Sequence, residues 1–171
     1  MKKIIFILLV AIHLNSFAQS GFRGYEWGTS REFIEQEIGL PTHAHPRGEP
    51  KCYLDSLMDK EVFVRFSFDE GLTGGAYIFA SYAPFETLDF FRRVEKVLAD
   101  KYGYKSDNFI NDSELGTLMN KKEDYSLEFN NNVYLRFTST TLYHPRKDYV
   151  VYVVFRKPED YSYSKEDAEK L

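Results

Sequence analysis

EVFVRFSF, residues 61–68, places valine or phenylalanine at every second position, with a different set of side chains between them. This period of two is typical of a β-strand whose two faces meet different surroundings. The Asp-Glu-Gly of residues 69–71 predicts a turn in which Gly71 adopts a positive φ angle, and residues 72–82 predict the returning strand. The stretch therefore predicts an antiparallel hairpin.

A short helix is predicted over residues 30–38, ahead of the hairpin. Thr29 and Glu32 have the spacing of a capping box, in which each side chain accepts a hydrogen bond from the backbone amide of the other residue. Gly39 suits the left-handed position that ends a helix. The apolar residues of this helix are Phe33, Ile34 and Ile38.

A longer helix is predicted over residues 85–102, where a continuous apolar stripe indicates the buried side. The stripe consists of Phe85, Leu88, Phe91, Val94, Leu98 and Tyr102, widened by Phe90 and Val97. The side predicted to face solvent consists of Glu86, Asp89, Arg92, Arg93, Glu95 and Lys96. Gly103 is expected to end this helix.

The rest of the chain predicts loops and shorter strands. Residues 42–50 have the composition of a loop, and residues 130–132 predict a turn because asparagine tolerates the left-handed conformation. Strands are predicted at 53–58, 115–119, 127–129, 133–138 and 149–156.

Grouped strands with short connections favour the α+β class over the α/β class. We expect one or two antiparallel sheets with both helices packed on one face, built as two halves in which a helix precedes three strands. The halves span about residues 22–82 and 84–157, within a single domain of residues 19–157. Residues 158–171, rich in charge and poor in apolar side chains, predict a flexible tail.

Residues 1–18 have the pattern of a cleaved export signal. Lys2 and Lys3 precede nine uninterrupted apolar residues, and the small residues Ser16 and Ala18 suit cleavage after Ala18. The apolar run is shorter than the ~20 residues of a membrane-spanning helix. We therefore expect a periplasmic or secreted protein without a transmembrane segment in the mature chain.

The composition narrows the function. Hydrophobic residues make up 43% of the chain, which excludes an intrinsically disordered protein, and one cysteine excludes a disulfide framework. A net charge of −4 without a basic block argues against nucleic-acid binding. The sequence contains neither a nucleophile motif nor a phosphate-binding glycine loop, so we predict a non-enzymatic protein without a cofactor. An enzyme whose residues meet only in the folded protein is the alternative.

Several motifs resemble a pattern common in exported bacterial proteins. Around the first helix they are a Trp-Gly-x-Ser start at residues 27–30 and an Ile-Gly end at residues 38–39. A Phe-Asp-x-Gly-Leu turn follows at residues 68–72, and Lys-Tyr-Gly at residues 101–103 ends the second helix. In the order of its elements the chain is similar to the outer-membrane-assembly lipoproteins of the SmpA/OmlA type and to the tandem-repeat β-lactamase-inhibitor-protein fold. Both are families of binding proteins, not of enzymes. The chain lacks the lipidated cysteine of the first family, and the resemblance therefore extends to architecture alone.

The last strands indicate a candidate binding surface. If Val133, Leu135 and Phe137 face the core together with the odd-numbered residues 149–155, the intervening side chains face outward. Tyrosine and arginine are typical anchors of protein interfaces. The predicted binding residues are Phe63, Arg65, Tyr134, Arg136, Tyr152 and Arg156. We expect the partner to be another protein of the envelope or extracellular space, and ordinary tyrosine–arginine pairing on a solvated sheet is the alternative.

A metal site is a second functional prediction. His43 and His45 could hold Zn or Cu if they share one face of a strand, with Cys52 seven residues further on and His144 distant. The alternative is a pair of solvated loop histidines. For Cys52 we predict a small buried hydrophobic residue, with intermolecular pairing or metal ligation as alternatives.

Overall fold

The computed structural model of the chain describes residues 21–45, 48–105, 109–121, 123–130, 132–140 and 148–158. Three features of the sequence analysis lie outside these residues: the export signal with its cut after Ala18, His144, and the tail beyond Pro158. Among the residues described, no helix combines the length and the apolar character needed to cross a membrane.

Nine strands and three helices make up the described chain. The helices are α1 (Arg31–Ile38), α2 (Pro84–Tyr102) and α3 (Asp112–Lys121). The strands are β1 (Gly21–Phe22), β2 (Tyr25–Glu26), β3 (His43–His45), β4 (Gly48–Leu57), β5 (Lys60–Phe68), β6 (Leu72–Ser81), β7 (Tyr125–Phe129), β8 (Val133–Thr140) and β9 (Asp148–Arg156). β1 and β2 form a small hairpin, and the others form one antiparallel sheet in the order β3-β4-β5-β6-β9-β8-β7. The predicted α+β class with antiparallel sheets is confirmed.

The predicted hairpin lies in the middle of the sheet as β5 and β6, with Val64 opposite Tyr77. On its other side β6 pairs with β9, from Gly74 opposite Arg156 to Ser81 opposite Tyr149. β6 is the last strand before α2, and β9 is the last strand of the described chain. Their pairing therefore joins the strands that precede α2 and those that follow it into one sheet.

All three helices pack against the same face of the sheet, which we call the helix face; the opposite side is the outer face. Ile34 of α1 packs against Val64 and Leu72, while α2 places Phe90 on Phe79 with ring centroids 4.4 Å apart. The strand residues predicted to face the core lie on this face and are buried, with Phe155 half-buried: Val133, Leu135, Phe137, Tyr149, Val151, Val153 and Phe155.

A third helix, α3, occupies the place where a short strand was predicted at 115–119. That prediction was wrong because the apolar residues here follow a helical spacing, with Leu115 fully buried in the main core. Asn111 caps the helix: its side chain accepts from the amide of Glu114, whose carboxylate accepts from the amide of Asn111.

The packing of α3 changes which side of α2 is buried. Glu95, predicted to face solvent, is only 7% exposed, whereas Phe85 and Val97, predicted to be core residues, are 84% and 48% exposed. The buried face of α2 is therefore rotated toward α3, and Phe90 takes the central position.

Glu95 is held in a polar network rather than left unpaired. It accepts hydrogen bonds from Arg92 at 2.6 Å and from the Tyr104 hydroxyl at 3.2 Å. Arg92 also donates to Asp112 at 2.8 Å and to the carbonyl of Ile110 at 2.6 Å. This network joins α2 to the beginning of α3, since a buried carboxylate is stable only when its hydrogen bonds are satisfied.

The segment 42–50, predicted as a loop, instead contributes β3 and the beginning of β4. Ala44 pairs with Lys51 and His43 with Cys52, so this prediction was wrong. The short strand predicted at 53–58 is the second half of β4. Backbone pairing across the hairpin overrides a composition that is unfavourable for strands.

The ends of α1 differ in part from the prediction. Ser30 is the N-cap and accepts from the amide of Phe33, whereas the Thr29 hydroxyl donates to the carbonyl of Glu26, so the predicted capping box is wrong. Gly39 ends the helix with a positive φ angle, as predicted. Of its apolar side chains only Ile34 is buried; Phe33 is 50% exposed and Ile38 43%.

Gly71 serves the turn between β5 and β6 by its small size and not by a positive φ angle. A Cβ atom on Gly71 would lie 2.3 Å from the carbonyl oxygen of Gly28. The two backbones can approach this closely because Gly28 donates to the carbonyl of Leu72, and Leu72 donates to that of Thr29.

Phe22 anchors the β1–β2 hairpin to the sheet by packing onto Gly75. Its ring lies 5.3–5.4 Å from the rings of Phe66, Tyr77 and Phe155. A Cβ atom on Gly75 would lie only 2.0 Å from the Phe22 ring. Glycine at this position therefore provides the space that Phe22 fills.

We predict that Gly75→Ala lowers the free energy of unfolding by about 1–3 kcal/mol, because the added methyl group overpacks the site. The cost should nearly disappear in a Phe22→Ala background, where the ring is absent. Gly116→Ala in α3 is the matched control: its Cβ atom meets nothing within 4 Å, so it should stabilise the protein by up to about 1 kcal/mol. Urea unfolding of the four variants measures these effects, and equal costs of Gly75→Ala in both backgrounds would contradict the packing argument.

We predict that the Glu95 network weakens in alkali. Burial and the neighbouring Glu95 carboxylate raise the pKa of Tyr104 from 10.0 to about 12. The folded protein keeps the Tyr104 phenol protonated to a higher pH than the unfolded chain does. The resulting contribution to the free energy of unfolding is complete below pH 10 and is lost as the pH rises toward 12. Thermal unfolding across this range should show a smaller alkaline loss for Tyr104→Phe than for the wild type. Parallel pH profiles of the two proteins would show that this phenol does not contribute.

Candidate binding site on the outer sheet face

The structure places all six predicted binding residues on the outer face. Phe63 and Arg65 come from β5, Tyr134 and Arg136 from β8, and Tyr152 and Arg156 from β9. Alternation along each strand turns these side chains away from the helices. Arg136 and Arg156 are exposed, and the other four are half-buried.

The centre of the outer face is buried. Cys52, Ile78 and Val150 are fully buried, and Val150 lies on the outer face, as the alternation along β9 predicts. Phe63 and Tyr152 lie directly opposite Ile78 on the two neighbouring strands and pack into the same cluster. The polar residues of this face therefore surround an apolar centre.

A groove lies beside this centre, along β6. Its volume is about 290 Å³, and Gly74, Ala76 and Ile78 of β6 line it together with Arg65 on one side and Arg156 on the other. Tyr152 and Val154 complete the β9 wall. Gly74 and Ala76 make the groove possible, because larger side chains at these two positions would fill it.

Two cationic side chains therefore flank a floor of small residues. Arg65 is opposite Ala76, and Arg156 is opposite Gly74, so the two arginines lie on either side of β6 and two positions apart along it. Strand spacing puts their Cα atoms about 12 Å apart. In the part of the chain that the structure describes, the ion pairs involve other cations: Arg23, Lys60, Arg92, Arg93, Lys105 and Arg136. The groove is thus suited to an anionic group.

The two residues of β8 have partners within the protein. Arg136 forms an ion pair with Asp124. The ring of Tyr134 lies under the Arg156 guanidinium at 5.0 Å, and its hydroxyl group is hydrogen-bonded to Glu128. The contact of Tyr134 with Arg156 is a tyrosine–arginine pair of the kind given as the alternative from sequence, whereas Arg136 is paired with an acidic residue. Arg65, Tyr152 and Arg156 are the predicted residues that line the groove.

Glu128 of β7, which also lies on the outer face, has partners within the protein as well. Lys105 donates to Glu128 at 2.6 Å, and that hydrogen bond is the main reason why the pKa of Glu128 is lowered. Burial, followed by the neighbouring Glu128, raises the pKa of Tyr134. The β7–β8 side of the outer face is therefore internally balanced. Glu128 also attracts Arg156 electrostatically, although Arg156 forms no ion pair within the described residues.

The predicted metal residues are only partly described. His43 is exposed and hydrogen-bonded to the Thr42 hydroxyl at 3.2 Å, and the side chain of His45 lies outside the described residues. His43 pairs across the strands with Cys52, which is fully buried. No group of three or more His, Cys, Asp and Glu side chains that could hold a metal occurs in the described ranges. Metal binding through His43 and His45 stays a prediction.

Sequence reasoning did not identify the floor of the groove. The signal was present, since Gly74-Gly75-Ala76 is an unusual run of small residues inside a strand. Its meaning depends on which strands lie on either side of β6, and only the folded sheet shows that these are β5 and β9.

The comparisons with known proteins do not assign this site. No protein-family model, no curated protein and no solved structure matches the chain. The arguments for function therefore rest on the geometry of the described residues.

We predict that the Cys52 thiol reacts with Ellman's reagent only after unfolding. The residue is fully buried, and burial raises the pKa of its thiol, which disfavours the reactive thiolate. The matched control is Cys52→Ala combined with Ser56→Cys, which moves the thiol to an exposed position of the same strand and should react at once. Fast labelling of the native wild-type protein would contradict a buried structural role.

Proposed function

We propose that this protein is an exported, non-enzymatic binding protein of the cell envelope or extracellular space. Its outer-face groove engages an acidic segment of another protein. Export is supported by the signal pattern of residues 1–18. Metal binding through His43 and His45, and an enzymatic activity, are the alternative predictions.

The observation that carries this proposal is the pair of arginines beside the groove. Arg65 and Arg156 flank about 290 Å³ of open space and form no ion pair within the described chain. Guanidinium groups form strong, often bidentate hydrogen bonds with carboxylates. A carboxylate is therefore the group that best complements the groove.

The surroundings of the groove favour a protein partner over a free anion. The apolar cluster around Ile78 continues from the groove, with Phe63 and Tyr152 on either side. Large aromatic surfaces next to arginine are characteristic of the residues that dominate binding energy in protein interfaces. An acidic side chain would occupy the groove while apolar parts of the partner contact Phe63 and Tyr152.

We predict that mature protein immobilised on a resin retains an envelope or extracellular protein, and that the double variant Arg65→Gln/Arg156→Gln does not. Each lost charge-assisted hydrogen bond should weaken binding by about tenfold or more. Retention by the wild type should also fall when the salt concentration is raised, because salt screens charges at the rim of an interface. Quantitative mass spectrometry of the retained proteins measures both effects.

Lys96→Gln is the matched control, since Lys96 is exposed on α2 and lies away from the outer face. Combined with Lys121→Gln at an exposed position of α3, it removes two positive charges, as the double variant does, and should leave retention unchanged. The proposal fails if the double variant retains the same proteins as the wild type. It also fails if Lys96→Gln/Lys121→Gln causes an equal loss, because net charge alone would then explain the binding.

A further inference from the structure

A second cavity lies where β4 separates from β5. β4 pairs with β5 from Leu57 to Tyr53, and Val64 is the last partner. Earlier residues of β4 pair with β3 instead, beginning with Cys52 opposite His43. The two strands diverge at this point, and we call the space between them the fork cavity.

The fork cavity is large enough for a ligand, and most of its charged lining residues are cations. Its volume is about 530 Å³, within the roughly 300–1,000 Å³ of typical ligand sites. Arg31 of α1, Lys51 of β4 and Arg65 of β5 line it, with Glu35 as the acidic side chain of the lining. None of the three cations takes part in an ion pair of the described residues. The cavity therefore favours an anionic occupant.

One wall of the fork cavity is an open strand edge. Residues 65–68 of β5 pair with β6 on one side, and no described strand pairs with them on the other. The carbonyl of Ser67 accepts from the Thr73 hydroxyl at 3.2 Å and so points toward β6. Because neighbouring residues of an antiparallel strand alternate in direction, the N–H and C=O groups of Phe66 point into the cavity.

We propose that the fork cavity binds an extended acidic segment of another protein, which adds a strand to the open edge of β5. Backbone hydrogen bonds to Phe66 would fix the segment in register, as in other cases of strand addition. This site is separate from the outer-face groove, with which it shares Arg65 and Ser67, and does not depend on it.

The positions of the cations explain why an extended segment fits better than a compact anion. Arg31 belongs to a helix on the helix face, whereas Arg65 projects from the outer face, so the two lie on different sides of the open edge. Successive side chains of a strand point to opposite sides. Two neighbouring acidic residues of an added strand would therefore reach both Arg31 and Arg65. The rings of Tyr53 and Phe66, 5.6 Å apart, provide apolar contact between the charges.

The test uses a fluorescein-labelled, capped peptide of sequence Glu-Val-Glu-Glu-Val-Glu, which carries two glutamates on each side when extended. Fluorescence anisotropy measures its Kd for the full mature protein. We expect Lys51→Gln and Arg31→Gln each to weaken binding about fivefold, since both side chains are exposed and their ion pairs are partly solvated. Arg156→Gln, which alters only the groove, should leave the Kd unchanged.

Two further peptides separate strand addition from simple charge attraction. The same peptide with N-methylated backbone amides keeps every charge but cannot donate hydrogen bonds to β5, and it should bind at least tenfold more weakly. A peptide with lysine in place of glutamate should not bind. In the complex with the acidic peptide, hydrogen exchange of the Phe66 amide should become slower.

The proposal is overturned if the wild type does not bind the acidic peptide, or if the N-methylated peptide binds equally well. It is also overturned if Lys51→Gln and Arg31→Gln leave the Kd unchanged. Loss of peptide binding in Arg156→Gln alone would assign the peptide to the outer-face groove instead. Loss of partner retention by Arg156→Gln alone, with normal peptide binding by the same variant, would support both sites independently, because Arg156 lines the groove and not the fork cavity.

Discussion

The pairing of β6 with β9 is the interaction on which the rest of the structure depends. These two strands are hydrogen-bonded from Gly74 opposite Arg156 to Ser81 opposite Tyr149, and they join β3-β4-β5-β6 to β9-β8-β7 in one sheet. Without this pairing, β6 and β9 would each present an unpaired edge. Joined, they form a surface wide enough for α1, α2 and α3 to pack on one side.

The small residues at the start of β6 then determine what can lie on each side of the joined sheet. Gly75 faces the helices and admits the ring of Phe22, which holds the β1–β2 hairpin in place. Gly74 and Ala76 face outward and leave the groove between Arg65 and Arg156. Three consecutive residues without large side chains thus serve packing on the helix face and an opening on the outer face, because neighbouring residues of a strand point in opposite directions.

Much of the sheet could be predicted from sequence, because a strand that buries one face against the helices keeps a strict alternation. Residues 61–68 and the buried residues of β8 and β9 follow this rule, and their faces were predicted correctly. The failures occur where an element is defined by a distant partner. The stripe of α2 depends on α3, which buries Glu95 and leaves Phe85 exposed, and β3 exists through its pairing with β4. The candidate sites could not be predicted for the same reason, since the outer-face groove and the fork cavity each need residues from several elements.

The distribution of charge supports the selectivity that we propose for these sites. The chain is acidic overall, with 26 acidic and 22 basic residues, so an acidic partner is weakly repelled at long range. Salt screens that repulsion beyond about 8–10 Å, whereas contacts within a groove are screened much less. Most other arginines and lysines near the sheet are bound in ion pairs, as Arg23 is with Asp55. Within the ranges that the structure describes, Arg31, Lys51, Arg65 and Arg156 form no ion pair, and Arg65 lines both cavities. For the acidic segment that we propose as the partner, we therefore expect attraction only at close range and only where these side chains meet it, so that recognition depends on shape as well as charge.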